Sequence, residues 1–123
     1  MPRLTTDTPE GLHLLSLLLR AQLEASLATP AGKARARKIS KGSVGLVAGE
    51  METRLVFTGD RIHLDQAPLE GVSARAAGNL AAFTHFCLGR LRAADLLLGH
   101  VRVSGRLTLL RQVLPLLQRP DAS

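Results

Sequence analysis

A chain of 123 residues, 46% apolar and 21% charged, is long enough for one buried core, too short for two, and too apolar to be disordered. Sixteen Lys and Arg against ten Asp and Glu leave a net charge of +6, which favours anionic partners. With three Phe, no Tyr and no Trp, the core must be built from Leu, Val and Ala, and base-stacking recognition of single strands is poorly provided for.

Residues 1–8 read as a flexible tail. Asp7 or Thr8 can cap a helix, with Pro9 in its first turn and Glu10 adding an early negative charge. That helix runs to about Leu27 and stops where Pro30 and Gly32 interrupt it. Leu12, Leu15, Leu19 and Leu23 share one face, while Leu14, Leu17 and Leu18 widen the apolar arc and call for a second apolar surface to cover it. His13, Ser16, Arg20, Gln22 and Glu24 break the run, so it is no membrane span. Nor does the opening MPRLTTDTPEG follow a signal-peptide pattern.

Strands follow, separated by short turns. GKARARKISK, Gly32 to Lys41, alternates charge and alanine. As a strand it sets Lys33, Arg35 and Arg37 on one face, which suits a solvated sheet surface, an anionic lipid headgroup or membrane, or nucleic acid. SVGLVA, TRLVFT, a Gly59–Asp60 turn, RIHLDQ and GVSARAAG continue the sheet.

The last third is mostly helical. Asn79 can cap LAAFTHFC, which ends at Gly89, and RAADLLL makes a shorter helix. HVRVS is a period-two strand with Val101 and Val103 on one side. In the closing helix Leu107, Leu109, Leu110, Val113, Leu114, Leu116 and Leu117 fill half the circumference, and Pro115 falls on the wet half. A run of strands followed by helices around one late strand implies an α+β fold, with a mostly antiparallel sheet of five strands covered on one side.

Candidate chemistry is sparse. His13, His63, His85 and His100 have no metal-ligand spacing, and His85 and Cys87 point apart on a helix. Gly32-Lys33 is followed by Ala34 where a phosphate-binding loop requires Ser or Thr. Asp95 near Arg92 reads as an exposed ion pair. No catalytic residue, metal or cofactor is expected. Cys87, alone between Phe86 and Leu88, reads as a buried hydrophobe in a reducing cytoplasm.

ARAAGNLAAFTHFCLGR followed by LLLGHVRVSGRLTLLRQVLPLL resembles the sterol carrier protein type 2 family. The resemblance lies in a helix ending near Leu88-Gly89, a strand framed by Gly99, Val101, Val103 and Gly105, and a closing helix with Leu107, Leu110 and Leu114. LLLRAQLEASL and AGKARARKIS upstream also fit, so it covers residues 10–118 and is nearest to the short bacterial branch with ubiquinone-biosynthesis accessory factors. It implies one domain over residues 9–119, a tail over 120–123, and an apolar tunnel between a twisted sheet and its helices. The implied function is non-catalytic binding or transfer of an acyl, sterol-like or isoprenoid lipid. Leu15, Leu19, Phe83, Phe86, Leu110, Val113, Leu114 and Leu117 are the candidate lining, and Arg35 and Arg37 the candidate contacts to anionic headgroups. An accessory or scaffold role beside quinone-biosynthesis enzymes is the alternative, and a basic nucleic-acid-binding module a third. A cytoplasmic location, peripheral to the inner membrane where lipid is exchanged, accords with these readings.

Overall fold

Residues 13–39 fold as two helices around a tight corner, where a helix and a strand were expected. α1 spans Leu14–Leu27 and α2 spans Pro30–Arg37. The computed structural model describes residues 3–6, 13–39, 41–58, 61–99 and 101–118. The cap at Asp7 or Thr8 with Pro9 and Glu10, the Gly59–Asp60 turn, His100 and the tail from residue 120 lie outside them.

Local chemistry explains the extra helix. Thr29 caps α2, its Oγ1 accepting the Gly32 N–H at 3.0 Å, and Pro30 occupies the first turn, where its missing N–H costs nothing. The Ala–Arg alternation is an alternation of charge rather than of burial, and both residue types favour helix. Gly32 and Ala36, one turn apart, are the buried residues of α2. A Cβ on Gly32 would stand 1.8 Å from the Ser26 carbonyl oxygen, so glycine alone permits this approach to the end of α1.

α1 starts after His13 rather than at Pro9. The His13 Nδ1 accepts the Ser16 N–H at 3.2 Å, and its Nε2 lies 3.0 Å from the Glu52 carbonyl. The tautomer with its proton on Nε2 satisfies both contacts. Leu15, Leu19 and Leu23 are buried as their spacing foretells. Of the widened arc, Leu18 packs against the core, while Leu14 and Leu17 are left 59% and 46% exposed.

The sheet has six strands: β1 (Arg3–Thr6), β2 (Gly42–Ala48), β3 (Met51–Phe57), β4 (Arg61–Asp65), β5 (Ala74–Gly78) and β6 (Val101–Gly105). Their spatial order is β1-β4-β3-β2-β5-β6. β2–β3, β3–β4 and β5–β6 are antiparallel, while β1–β4 and β2–β5 are parallel. β1 comes from the stretch expected to be a tail, and it pairs from Arg3↔Arg61 to Thr6↔Leu64. Because β5 returns beside β2 in parallel, residues 66–73 cross the sheet face away from the helices. Leu69 rests there on Gly45, where a Cβ would come within 2.8 Å of it.

Period two then sorts the side chains. Val44, Leu46, Leu55, Phe57, Ile62, Leu64, Ala74 and Ala76 enter the core under the helices. Arg54, His63, Asp65 and Arg75 alternate with them and face the other way. α3 (Leu80–Cys87), capped by Asn79, α4 (Ala93–Gly99) and α5 (Leu107–Leu117) complete the helical layer with α1. The result is the expected α+β architecture. α5 buries Leu109, Leu110, Val113, Leu114, Leu116 and Leu117, whereas Leu107, in its first turn, stays 42% exposed.

Candidate functional site

The structure brings all eight expected lining residues into one cluster. Leu15 and Leu19 come from α1, Phe83 and Phe86 from α3, and Leu110, Val113, Leu114 and Leu117 from α5. Leu46, Leu55 and Leu64 meet them from the sheet, each with no exposed surface. None of the eight exposes more than 1% of its surface. Among the described residues, these side chains close on one another where an apolar tunnel was expected. Aliphatic chains mesh at the density of an organic crystal, and on β5 only Ala74 and Ala76 stand under α5, leaving that space to leucine.

Polar ties frame this dry layer at its ends. Ser16 and Thr53 hydroxyls lie 2.7 Å apart and join α1 to β3. The Ser26 hydroxyl donates to the Leu116 carbonyl at 2.7 Å, and the Gln118 amide donates to the Leu91 carbonyl at 2.9 Å. These two bonds hold the C-terminal end of α5. The Arg106 N–H bonds the Ser73 carbonyl at 2.9 Å ahead of its first turn, but no side chain caps that end. Between them Leu109, Leu110, Val113 and Leu114 are buried in aliphatic contact, which has no preferred direction.

The two expected headgroup residues part company. On a helix, two positions turn a side chain by about 200°, not back to the same side as on a strand. Arg35 therefore lines a groove of about 270 Å³ between α2 and α5, together with Lys38, Arg111, Gln112 and Pro115. Arg37 does not line it. Lys38 and Arg111 are missed by a strand reading of this segment. A helix reading of Thr29-Pro30, a capping residue followed by an N1 proline, is the signal that finds them.

A shallow trough of about 500 Å³ lies near the β2–β3 turn, lined by Val47, Gly49, Ala77, Gly78, Asn79 and neighbouring residues. It gathers no convergent set of ionisable groups. On the outer sheet face, Asp65 accepts two bonds from Arg54, at 2.9 and 2.7 Å. Burial pushes the Asp65 carboxyl up, but the Arg54 bonds, the Ala67 N–H and the charges of Arg54 and His63 outweigh it and hold it below its ordinary 3.8. Cys87 is pushed up to about 12 by burial, so it stays a protonated thiol and a poor nucleophile. Among the described residues no three His, Cys, Asp or Glu side chains gather where a metal could bind. No helix there is long and apolar enough to cross a membrane.

No family model matches the sequence, and no curated protein matches it. Solved structures do. A UbiJ-SCP2 ubiquinone synthesis protein superposes with a TM-score of 0.63 at 14% identity, over 85% of this chain and 93% of its own. The sterol carrier protein domain 2 of Helicoverpa armigera gives 0.59 at 14% identity, over 92% and 91%. A conserved hypothetical protein of Thermus thermophilus, described as a candidate sterol carrier protein, gives 0.57 at 14%, over 97% and 99%. The chain has the sterol carrier protein fold. The likeness covers 85% to 97% of the chain. It rests on backbone shape, since at 14% identity few side chains coincide.

Proposed function

We propose that the chain is a non-catalytic cytoplasmic binder of a hydrophobic lipid, acyl, sterol-like or isoprenoid, whose tail enters between the helical layer and the sheet. The observation that carries this reading is the continuous aliphatic cluster from α1, α3 and α5 against Leu46, Leu55 and Leu64, set in this fold. A dozen buried methylenes would contribute about 10 kcal/mol at ~0.8 kcal/mol each. That gain is offset by the lost contacts of the closed layer and by ordering of the ligand. α5 is the element to move, its buried face resting on the cluster through non-directional aliphatic contacts. Leu15, Leu19, Phe83, Phe86, Leu110, Val113, Leu114 and Leu117 then serve twice, as core in the closed state and as lining in the open one.

Native mass spectrometry of protein purified from cells tests this. A co-purifying lipid at one per chain is expected. Protein that emerges lipid-free, and gains no mass when offered long-chain fatty acid, sterol or polyprenol, contradicts it.

A second reading is favoured by the likeness to the ubiquinone synthesis protein: the chain holds isoprenoid quinone intermediates for biosynthetic enzymes rather than ferrying lipid. Preference for polyprenyl over acyl chains in competition, with quinone-pathway enzymes retained on the purified protein, supports it. Equal uptake of both chain types and no retained enzyme counts against it.

A further inference from the structure

We propose that the groove between α2 and α5 is a docking site for an anionic bilayer, its Arg35, Lys38 and Arg111 taking up phospholipid headgroup phosphates. This surface lies outside the aliphatic cluster and its docking does not require a tail to enter that cluster.

Charge is the first argument. Lys33, Arg35, Arg37, Lys38 and Lys41 follow one another with no acidic residue between them, and Arg111 meets them from α5. The ion pairs of the described residues lie elsewhere, at Arg20–Glu24, Arg54–Asp65, His63–Asp65 and Arg75–Glu52. Arg35, Lys38 and Arg111 thus face solvent with their charge unneutralised by a described carboxylate, and an anionic surface complements them. The α2 backbone is fixed by the Thr29 cap and the Gly32 contact, so the groove is pre-shaped on the α2 side rather than assembled from a loop.

The second argument is an exposed apolar residue on α5. Leu107 is 42% exposed and stands one turn before Arg111 on α5. An exposed leucine one turn from a groove cation suits the boundary between headgroups and acyl chains, where charge meets phosphate and the side chain leaves water. Nucleic acid is the poorer fit. Phe57, Phe83 and Phe86 are all buried, so the surface has no aromatic platform on which a base could stack.

Cosedimentation of the full chain with vesicles decides it, comparing phosphatidylcholine alone with an equal mixture of phosphatidylcholine and phosphatidylglycerol. Binding is expected to the mixed vesicles only, and to fall as salt screens the charges. Each cation near an anionic leaflet is worth about fivefold in partitioning, so a triple variant, Arg35→Gln with Lys38→Gln and Arg111→Gln, should lose roughly 100-fold. The charge-matched triple on the outer sheet face, Arg61→Gln with Arg75→Gln and Arg102→Gln, should bind nearly as the native chain does. Equal losses in the two triples would reduce the effect to net charge and overturn the proposal, as would undiminished binding by the groove triple. Tighter binding to polyuridylate than to mixed vesicles, lost in the groove triple, would overturn it in favour of nucleic acid. If the groove triple does not fold, the single variants Arg35→Gln and Arg111→Gln, each expected to lose about fivefold, carry the same test.

Discussion

On the helix-facing side of the sheet, Leu46, Leu55 and Leu64 meet aliphatic side chains in contacts that favour no direction. On the outer side, Arg54 and Asp65 are locked by two hydrogen bonds, and Leu69 is fitted onto Gly45. One face can exchange its neighbours for a hydrocarbon at modest cost, because dispersion and burial do not depend on which carbon supplies them. The other cannot, because a buried carboxylate that loses its partner is left uncompensated. The sheet thus has one face held by directional bonds and one packed through non-directional contacts, and the proposed lipid binding draws on that asymmetry.

The largest test of the contrast is Leu114→Ala. Removing a fully buried leucine should cost about 2–5 kcal/mol in chemical unfolding. If the surface is exchangeable, a long-chain fatty acid should recover more stability in this variant than in the native chain. Gly32→Ala comes next, since its Cβ would meet the Ser26 carbonyl; a loss of about 1–3 kcal/mol is expected, read as a lower thermal midpoint.

On the rigid face, Asp65→Asn should cost about 1 kcal/mol at neutral pH, a modest figure because Arg54 is partly in water. The native carboxyl titrates below 3.8, so its contribution is complete above that value and is lost as pH falls through the native pKa. Urea midpoints measured between neutral pH and pH values below 3.8 should therefore fall in the native chain and flatten in Asp65→Asn. His13→Ala removes the α1 cap and should cost about 1 kcal/mol, measurable by the same unfolding experiment. Leu17→Gln, on the exposed arc of α1, should change stability by less than about 0.5 kcal/mol. A larger loss would mean that this leucine is covered by its own chain.

Much of this was legible in the sequence where period and capping agreed. Asn79 and Gly89 bound α3, and the leucine spacing of α5 gave its buried face, because each signal is local. The run Lys33–Lys41 misled because alternation of charge imitates a strand, while what forms the helix is the Thr29 cap and the buried Gly32–Ala36 pair. β1 was missed because Arg3–Thr6 becomes a strand only through its partner β4, far along the chain, and no local pattern announces that pairing. The lining residues could be named from their helical faces. That they would close on one another depends on the alanines of β5, which a reading of one element at a time does not weigh.

The most direct measurement is a methyl NMR titration of the chain with a long-chain fatty acid or polyprenol. If the helix-facing side accepts a hydrocarbon, methyl signals of Leu15, Leu19, Leu110, Val113, Leu114 and Leu117 shift together and saturate, while those of Val56, on the outer face, and of Leu69, packed on Gly45, stay in place. A ligand that binds while the cluster methyls remain unmoved, or a cluster that stays silent at every ligand concentration, would contradict the account.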